Sequence, residues 1–592
     1  MASSSNVEFL FSFQQLNKLR YLDLSECINV TKFPLTSASI ERLNLRNTAI
    51  EDVPSSIQSL TNLTELDLSG CTRLKHISAS IFKLKSVRSL NLDYISELET
   101  FPEISETIEI LNSLELSGTA ITDLHSSIEH LNGLQRLTLH YCKNLEMLPS
   151  SICDLTSLKV LSLFNCTKLD KLPEKLGNLK SLRVLVVNGT AVGQLPSSIT
   201  CLENLLTLNC SECRGLTILP PLSGLLSLSR LYLKKCNLIE IPEDIGCLSS
   251  LEFLDLRENM FESLPKSIKH LSKLKTLLLR DCNMLRSLTE LPVALEELDA
   301  INCKQLCQAL PDASEFKRCI TSKYHNRCIT RSSRQLCPLE YEYVNFSFTN
   351  CLNLDQKAVS NVFEESVKVI SLLNLNTLFP LISLTLEITA IFLLQGSEEP
   401  PTDFSICLPG TEIPEWFTYQ SSGSSINIPV LRQDLINRKL MGFALCVVLG
   451  IEEYHGYSEV DYLSVEIYCH SETWRDYIFF ISSQNLIDEP VLIINSNHIL
   501  LGYSLFSEFL FSSQNLEMLI ANDSNYVNIP FEFKSEFKVK YCAVHPTYAE
   551  PIEIIGVTIE DIGVTSLKRS GRSNDNQEEV EPHPKRIFTQ PN

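Results

Sequence analysis

The phrase Leu-x-x-Leu-x-x-Leu-x-Leu-x-x-Cys recurs thirteen times between Cys27 and Cys303, each copy ending 21 to 25 residues after the last. Leu63, Leu66, Leu68 and Cys71 carry one copy, and Leu228, Leu231, Leu233 and Cys236 another. The closing position is Cys, Thr or Asn throughout, except in the fourth copy, where it is read as Tyr94. A unit this short supplies one strand and cannot bury its own apolar side, so the copies must stack.

In the Leu-x-Leu core, period-2 alternation sends both leucines inward and leaves the intervening residues on an open sheet face. The Cys, Thr or Asn that follows turns inward, where a small polar group can meet backbone groups left unpaired by the turn. The return path carries Leu148-Pro149-Ser150-Ser151-Ile152 and Leu195-Pro196-Ser197-Ser198-Ile199. Proline cannot donate to a ladder and serine is a good helix N-cap. We therefore expect a short second strand or turn, then a brief helical or 3-10 segment. The fold class is an α/β leucine-rich-repeat solenoid of about thirteen repeats over residues 1–310. At about 4.8 Å per strand its concave face is on the order of 60 Å long, a surface suited to a macromolecule.

The net charge of −21 argues against a general nucleic-acid or anionic-membrane binder. Of the 21 cysteines, at least eight fall at the inward turn, where thiols stack without needing to pair. With no basic, apolar leader in residues 1–20, the chain reads as cytoplasmic or nuclear, with reduced thiols.

After Cys303 the leucine period stops. Residues 311–403 read as a cap or linker that includes the basic stretch Lys317 to Arg334 and an apolar segment, Val367 to Leu394. That segment is long enough to span a bilayer, although Lys368, Pro380 and Glu387 interrupt it and its alternation also fits buried strands. Cys303, Cys307, Cys319, Cys328, Cys337 and His325 contain no CxxC pair, so no metal site is expected. Residues 404–555 have short apolar runs such as Gly442 to Leu449 and Phe537 to Val544, which indicate an all-β sandwich or jelly roll. Residues 556–592 form a charged tail, expected to be disordered, in which Lys568-Arg569 and Lys585-Arg586 have the spacing of a two-part nuclear signal.

The Leu-Pro-Ser-Ser-Ile turns, with Cys407-Leu408-Pro409-Gly410-Thr411-Glu412-Ile413-Pro414-Glu415-Trp416-Phe417 and the later Gly442-Phe443-Ala444, resemble plant intracellular immune receptors of the TIR, nucleotide-binding, leucine-rich-repeat class. The second motif is similar to their post-repeat C-JID, a jelly-roll/Ig-like domain. Phe348-Thr349-Asn350-Cys351-Leu352-Asn353-Leu354 matches the segment that links the two. The resemblance implies plant defense signalling by protein binding and effector recognition. It gives Pro409, Gly410, Ile413, Pro414, Trp416 and Phe417 a structural role first, with Trp416 filling the sandwich core. The repeats begin within the first 30 residues and no Gly-Lys dipeptide occurs, so TIR and P-loop domains are not expected here.

No HExxH, no GxSxG and no pair of CxxC motifs at metal spacing is present, so neither catalysis nor a cofactor is expected. Recognition is the expected function, through outward positions of the later repeats: Arg230, Tyr232, Lys234, Lys235, Phe253, Arg257 and Arg280. Alanine at Tyr232, Arg257 and Arg280 is then expected to weaken binding with little effect on unfolding. The partner is a pathogen effector or a host protein. Alternative readings are a regulatory or decoy fragment pairing with a full-length receptor, or a membrane-tethered repeat scaffold.

Overall fold

The computed structural model describes residues 16–34, 36–288, 290–307, 344–355, 360, 364, 404–436, 440–450, 464–469, 477–482, 497–505, 525–535 and 537–548. The apolar segment 367–394, the basic stretch 317–334 and the tail 556–592 lie outside them. Among the described residues no helix is long and apolar enough to cross a membrane.

Each repeat contributes one short ladder strand, and two return paths add the short strands β3 and β5. In chain order these are β1 (Tyr21–Asp23), β2 (Arg42–Asn44), β3 (Asp52–Val53), β4 (Glu65–Asp67), β5 (His76–Ile77), β6 (Ser89–Asn91), β7 (Ser113–Glu115) and β8 (Arg136–Thr138). They continue with β9 (Val160–Ser162), β10 (Val184–Val186), β11 (Thr207–Asn209), β12 (Arg230–Tyr232), β13 (Phe253–Asp255), β14 (Thr276–Leu278) and β15 (Glu297–Asp299). All but β3 and β5 pair in parallel as one ladder with the middle leucines in register, as in Leu43 against Leu66 and Leu208 against Leu231. The pair β3 and β5 forms a separate small ladder on the return path, as the prolines suggested. The inward leucines are sealed: Leu66, Leu161 and Leu231 expose at most 1% of their surface. Burying a leucine side chain contributes about 1.5–3 kcal/mol, so stabilisation is spread evenly along the stack.

The inward turn explains its own alphabet. Each turn is preceded by a left-handed residue, from Glu26 and Asn47 through Gly70, Tyr94 and Gly118 to Asn302 and Asn350. Thr48 donates to the Leu45 carbonyl of its own repeat at 2.8 Å, and Cys71 reaches that same carbonyl from the next repeat at 3.2 Å. Asn259 does both, donating to Leu233 and Leu256 at 2.8 Å while its Oδ1 accepts from the Cys236 and Leu238 amides. Interchange is tolerated because any short donor satisfies carbonyls that strand pairing leaves free. In the fourth repeat the inward residue is Ile95, fully buried, and not Tyr94, which is 55% exposed at the left-handed position. Counting from Leu90 and Leu92, as from Leu66 and Leu68 to Cys71, places Ile95 there.

Short 3-10 helices such as Ser55–Ser59, Ser150–Asp154, Ser197–Cys201 and Lys266–His270 line the return side. Their caps differ from expectation. Pro54, Pro149 and Pro196 occupy the N-cap with no side-chain bond, and the serines lie inside the helix. The second serine ties neighbouring repeats together instead: Ser151 Oγ donates to the Ser126 carbonyl at 2.6 Å, and Ser198 Oγ accepts from the Gly177 amide at 3.1 Å.

The ladder does not stop at Cys303. β15 pairs with β16 (Val344–Ser347), and β16 with β17 (Phe404–Pro409), both in parallel. Cys351 donates to the Ala300 carbonyl at 2.9 Å, repeating the inward-turn contact. The remaining strands are β18 (Tyr419–Ser422), β19 (Ser425–Leu431), β20 (Leu440–Gly450), β21 (Ser464–Cys469), β22 (Tyr477–Ser482), β23 (His498–Leu505), β24 (Tyr526–Lys534) and β25 (Lys538–Tyr548). Antiparallel pairs extend the ladder in the order β17-β23-β20-β25-β18. A second sheet, β19-β24-β21-β22, packs over it.

Alternation on β20 divides two cores. Phe443, Leu445, Val447 and Leu449 face the sandwich interior, where Phe443 meets Phe531 edge-on at 5.2 Å. Ala444, Cys446 and Val448 face the other way and join the core that runs back through the solenoid leucines. The concave-facing Ile301 packs into the sandwich core, so the second sheet lies on the concave side of the ladder. The expected solenoid and sandwich are both present, joined as one sheet.

Candidate recognition face

On the concave side each repeat presents two outward strand residues and the residue just beyond the strand. On β12 these are Arg230, Tyr232 and Lys234. Arg230 is exposed, and Tyr232 and Lys234 are half-buried. The Tyr232 ring lies 5.0 Å from Phe253 on the next strand, a cross-strand aromatic pair that offers rigid contact area. Lys234 and the left-handed Lys235 both reach Glu258, at 3.4 and 3.6 Å.

Arg257 and Arg280 depart from the expected exposed positions. Arg257 is 5% exposed and grips Asp255 with two bonds, Nε to Oδ1 at 2.9 Å and Nη2 to Oδ2 at 2.6 Å. Arg280 is 7% exposed and pairs with Asp299 at 2.9 Å. The reason is positional: they lie on the last repeats, where concave side chains become buried toward the sandwich. Glu297 and Asp299 are buried there too. Burial, then the neighbouring Asp299 charge, pushes the Glu297 carboxyl up to about 7.

The middle and early repeats differ. Asp67, Asp93 and Glu115 stand on β4, just beyond β6, and on β7, each half-buried. Asp67 accepts from the Ser69 amide, Asp93 from the Ser117 amide at 2.5 Å, and Glu115 from Ser113 Oγ at 3.4 Å. Burial raises the Asp93 and Glu115 carboxyls; Asp67 adds to both and Asp93 to Glu115, while His140 opposes the rise at Asp93 and Arg136 that at Glu115. Beside them, His140 and Tyr141 meet the Phe164 ring edge-on at 5.9 and 4.9 Å. These residues escaped sequence reasoning, which selected arginines and aromatics of the later repeats. Their signal was an acid within or just after three consecutive Leu-x-Leu cores, Asp67, Asp93 and Glu115.

Among the described residues no group of His, Cys, Asp and Glu could hold a metal. Burial raises the thiols of Cys71, Cys213 and Cys282, the last to about 12, so they serve as protonated donors.

The motif Pro409 to Phe417 sits at the junction. Pro409 ends β17 opposite His498, and the Gly410 amide donates to Asn497 at 2.9 Å. Ile413, Trp416 and Phe417 pack on the solenoid side of the sheet. Trp416 therefore does not fill the sandwich core. Its ring stacks on Phe417 at 4.1 Å and its Nε1 donates to Ser360 at 3.3 Å. Pro414 accepts from the Phe417 amide, closing the turn. The Asn350 amide donates to the buried His498 Nε2 at 3.0 Å, linking the last inward turn to β23.

Residues 408–553 match the C-JID domain family, and residues 38–80 match the leucine-rich-repeat family in two copies. Three curated Arabidopsis thaliana relatives align with most of the chain. Disease resistance-like protein DSC1 is 30% identical over 86% of this chain and 34% of its own length. Disease resistance protein RPP2B is 34% identical over 68% of this chain and 32% of its own length. Protein SUPPRESSOR OF npr1-1, CONSTITUTIVE 1 is 27% identical over 88% and 34%. The chain thus spans about a third of the length of the curated relatives it matches. It carries the leucine-rich repeats and C-JID domain of the plant disease-resistance proteins of the TIR, nucleotide-binding, leucine-rich-repeat class, and belongs to that family.

Proposed function

We propose that the chain is a non-catalytic recognition module of plant innate immunity. It binds a pathogen effector, or a host protein modified by one, through the concave face and the loops of the C-JID domain, in the cytoplasm or nucleus. The observation that carries this reading is the placement of Arg230, Tyr232 and Phe253 on a rigid ladder, outside the core. Aromatic and arginine side chains held in place cost little entropy on binding and dominate interface energies. The names of the relatives support the immune setting.

The test is binding of the purified chain to a panel of purified effectors, repeated with Arg230→Ala/Tyr232→Ala/Phe253→Ala. A partner that binds the parent and is lost from an equally stable variant supports the reading. Partners that bind both equally reject the concave face, and NAD cleavage by the pure chain rejects the non-catalytic assignment.

A further inference from the structure

The concave face is divided electrically. On the late repeats four cations are matched from within, Arg257 by Asp255, Arg280 by Asp299, and Lys234 and Lys235 by Glu258, while Arg230 stands exposed. On the early repeats Arg42 holds Glu65 at 3.4 Å, but Asp67, Asp93 and Glu115 hydrogen-bond backbone amides and a serine hydroxyl, and Arg136 and His140 act on Glu115 and Asp93 through space without pairing with them. Asp67, Asn91 and Glu115 share one cross-strand column, so the carboxylates lie on adjacent rungs.

A second feature adjoins them. A shallow cleft of about 620 Å³ opens past the same strands, lined by Tyr94, Gly118, Thr119, Tyr141, Lys143 and Asn144. Gly118 makes the cleft possible: its φ is +67°, and a Cβ there would lie 2.6 Å from the Tyr94 ring. Tyr94 and Tyr141 stand exposed on either side of it, at left-handed positions. Arg136 on β8 and Lys143 mark the far boundary of the acidic strip.

We propose that the concave rungs β4 to β7 dock a basic segment of a protein partner, its arginine side chains set among Asp67, Asp93 and Glu115 and against the Tyr94 ring. Charge complementarity selects the occupant. Half-buried carboxylates that form no ion pair among the described residues gain from an incoming guanidinium, which can bond bidentately and stack on tyrosine. An acidic or nucleic-acid partner would meet repulsion. This inference rests on protein recognition by the concave face and adds the chemistry of the partner.

The test titrates the full chain with an oligo-arginine peptide and an oligo-glutamate control by calorimetry at low and moderate salt. Asp93→Asn/Glu115→Gln is compared with Glu174→Gln/Glu240→Gln, which removes the same charge from exposed positions elsewhere. The expected result is at least about tenfold weaker oligo-arginine binding in the first pair and under about twofold in the second. Tyr94→Ala is expected to weaken it about threefold. Equal losses in both pairs mean diffuse attraction to an acidic chain and overturn the proposal, as does unchanged binding in Asp93→Asn/Glu115→Gln. Either failure leaves intact the effector test with Arg230, Tyr232 and Phe253, which fails or succeeds on its own.

Discussion

The two ends of the concave face use the same scaffold to opposite effect. At β13 to β15 the charged side chains are buried in mutual pairs, whereas at β4 to β7 Asp67, Asp93 and Glu115 stand half-buried and form no ion pair among the described residues, with Arg136 and His140 acting on Glu115 and Asp93 only through space. A charge that has been desolvated and paired belongs to stability, because removing one partner strands the other. A charge left half-solvated and uncompensated is available to something outside. The difference follows from the neighbours each rung meets in space, which a repeat pattern does not encode.

The largest predicted effect breaks the late end. Arg257→Ala should strand Asp255 in the interior and cost about 3–5 kcal/mol in denaturant unfolding. A loss below about 1 kcal/mol would mean that the pair is effectively solvent-exposed. The triple alanine at Tyr232, Arg257 and Arg280 should accordingly destabilise the chain, contrary to what an exposed-face reading expects. Gly118→Ala comes next, since the left-handed backbone and the Tyr94 ring both oppose a Cβ; about 1–2 kcal/mol is expected by thermal unfolding.

The pH dependence of Glu297 sharpens the comparison. Its folded pKa is raised to about 7 from the ordinary 4.5. The folded state therefore favours the protonated form, and the stability this contributes is present below pH about 4.5 and lost as pH rises through about 7. Glu297→Gln should raise the Tm relative to the parent at pH 8 and match it at pH 5. An equal effect at both values would show that the carboxyl is not buried. The smallest effect is expected at the early end, where Asp93→Asn/Glu115→Gln should shift unfolding by less than about 0.5 kcal/mol, with stabilisation the expected sign because repulsion is relieved. A large destabilisation there would assign those carboxylates to the fold.

The legible part of the molecule was the part written in periodicity. Leu63, Leu66 and Leu68 fix the strand, its inward face and its partner in the next repeat, so solenoid and register follow from spacing. The turn alphabet was legible through its donors. The serines of Pro-Ser-Ser-Ile were misplaced because N-cap preference is local, while Ser151 and Ser198 act between repeats. Trp416 was assigned to the wrong side of its sheet because β17 and β18 bound a turn whose outlet faces the solenoid, and composition is the same on both sides. Arg257 and Arg280 were read as free because a sequence shows the arginine at an outward position and not the sheet that comes to lie over that side.

Continuity of the ladder into β17 and β23 bears on self-association. A parallel stack ending in an unpaired strand is a template for another chain, and repeat arrays with such ends polymerise. Here the last parallel rung is taken by an antiparallel neighbour from the same chain, and the sheet closes on the short strand β18. The domain that follows the repeats thus acts as a terminator of sheet growth at that end, and trimming it at β17 should increase self-association, measured by light scattering against the full chain.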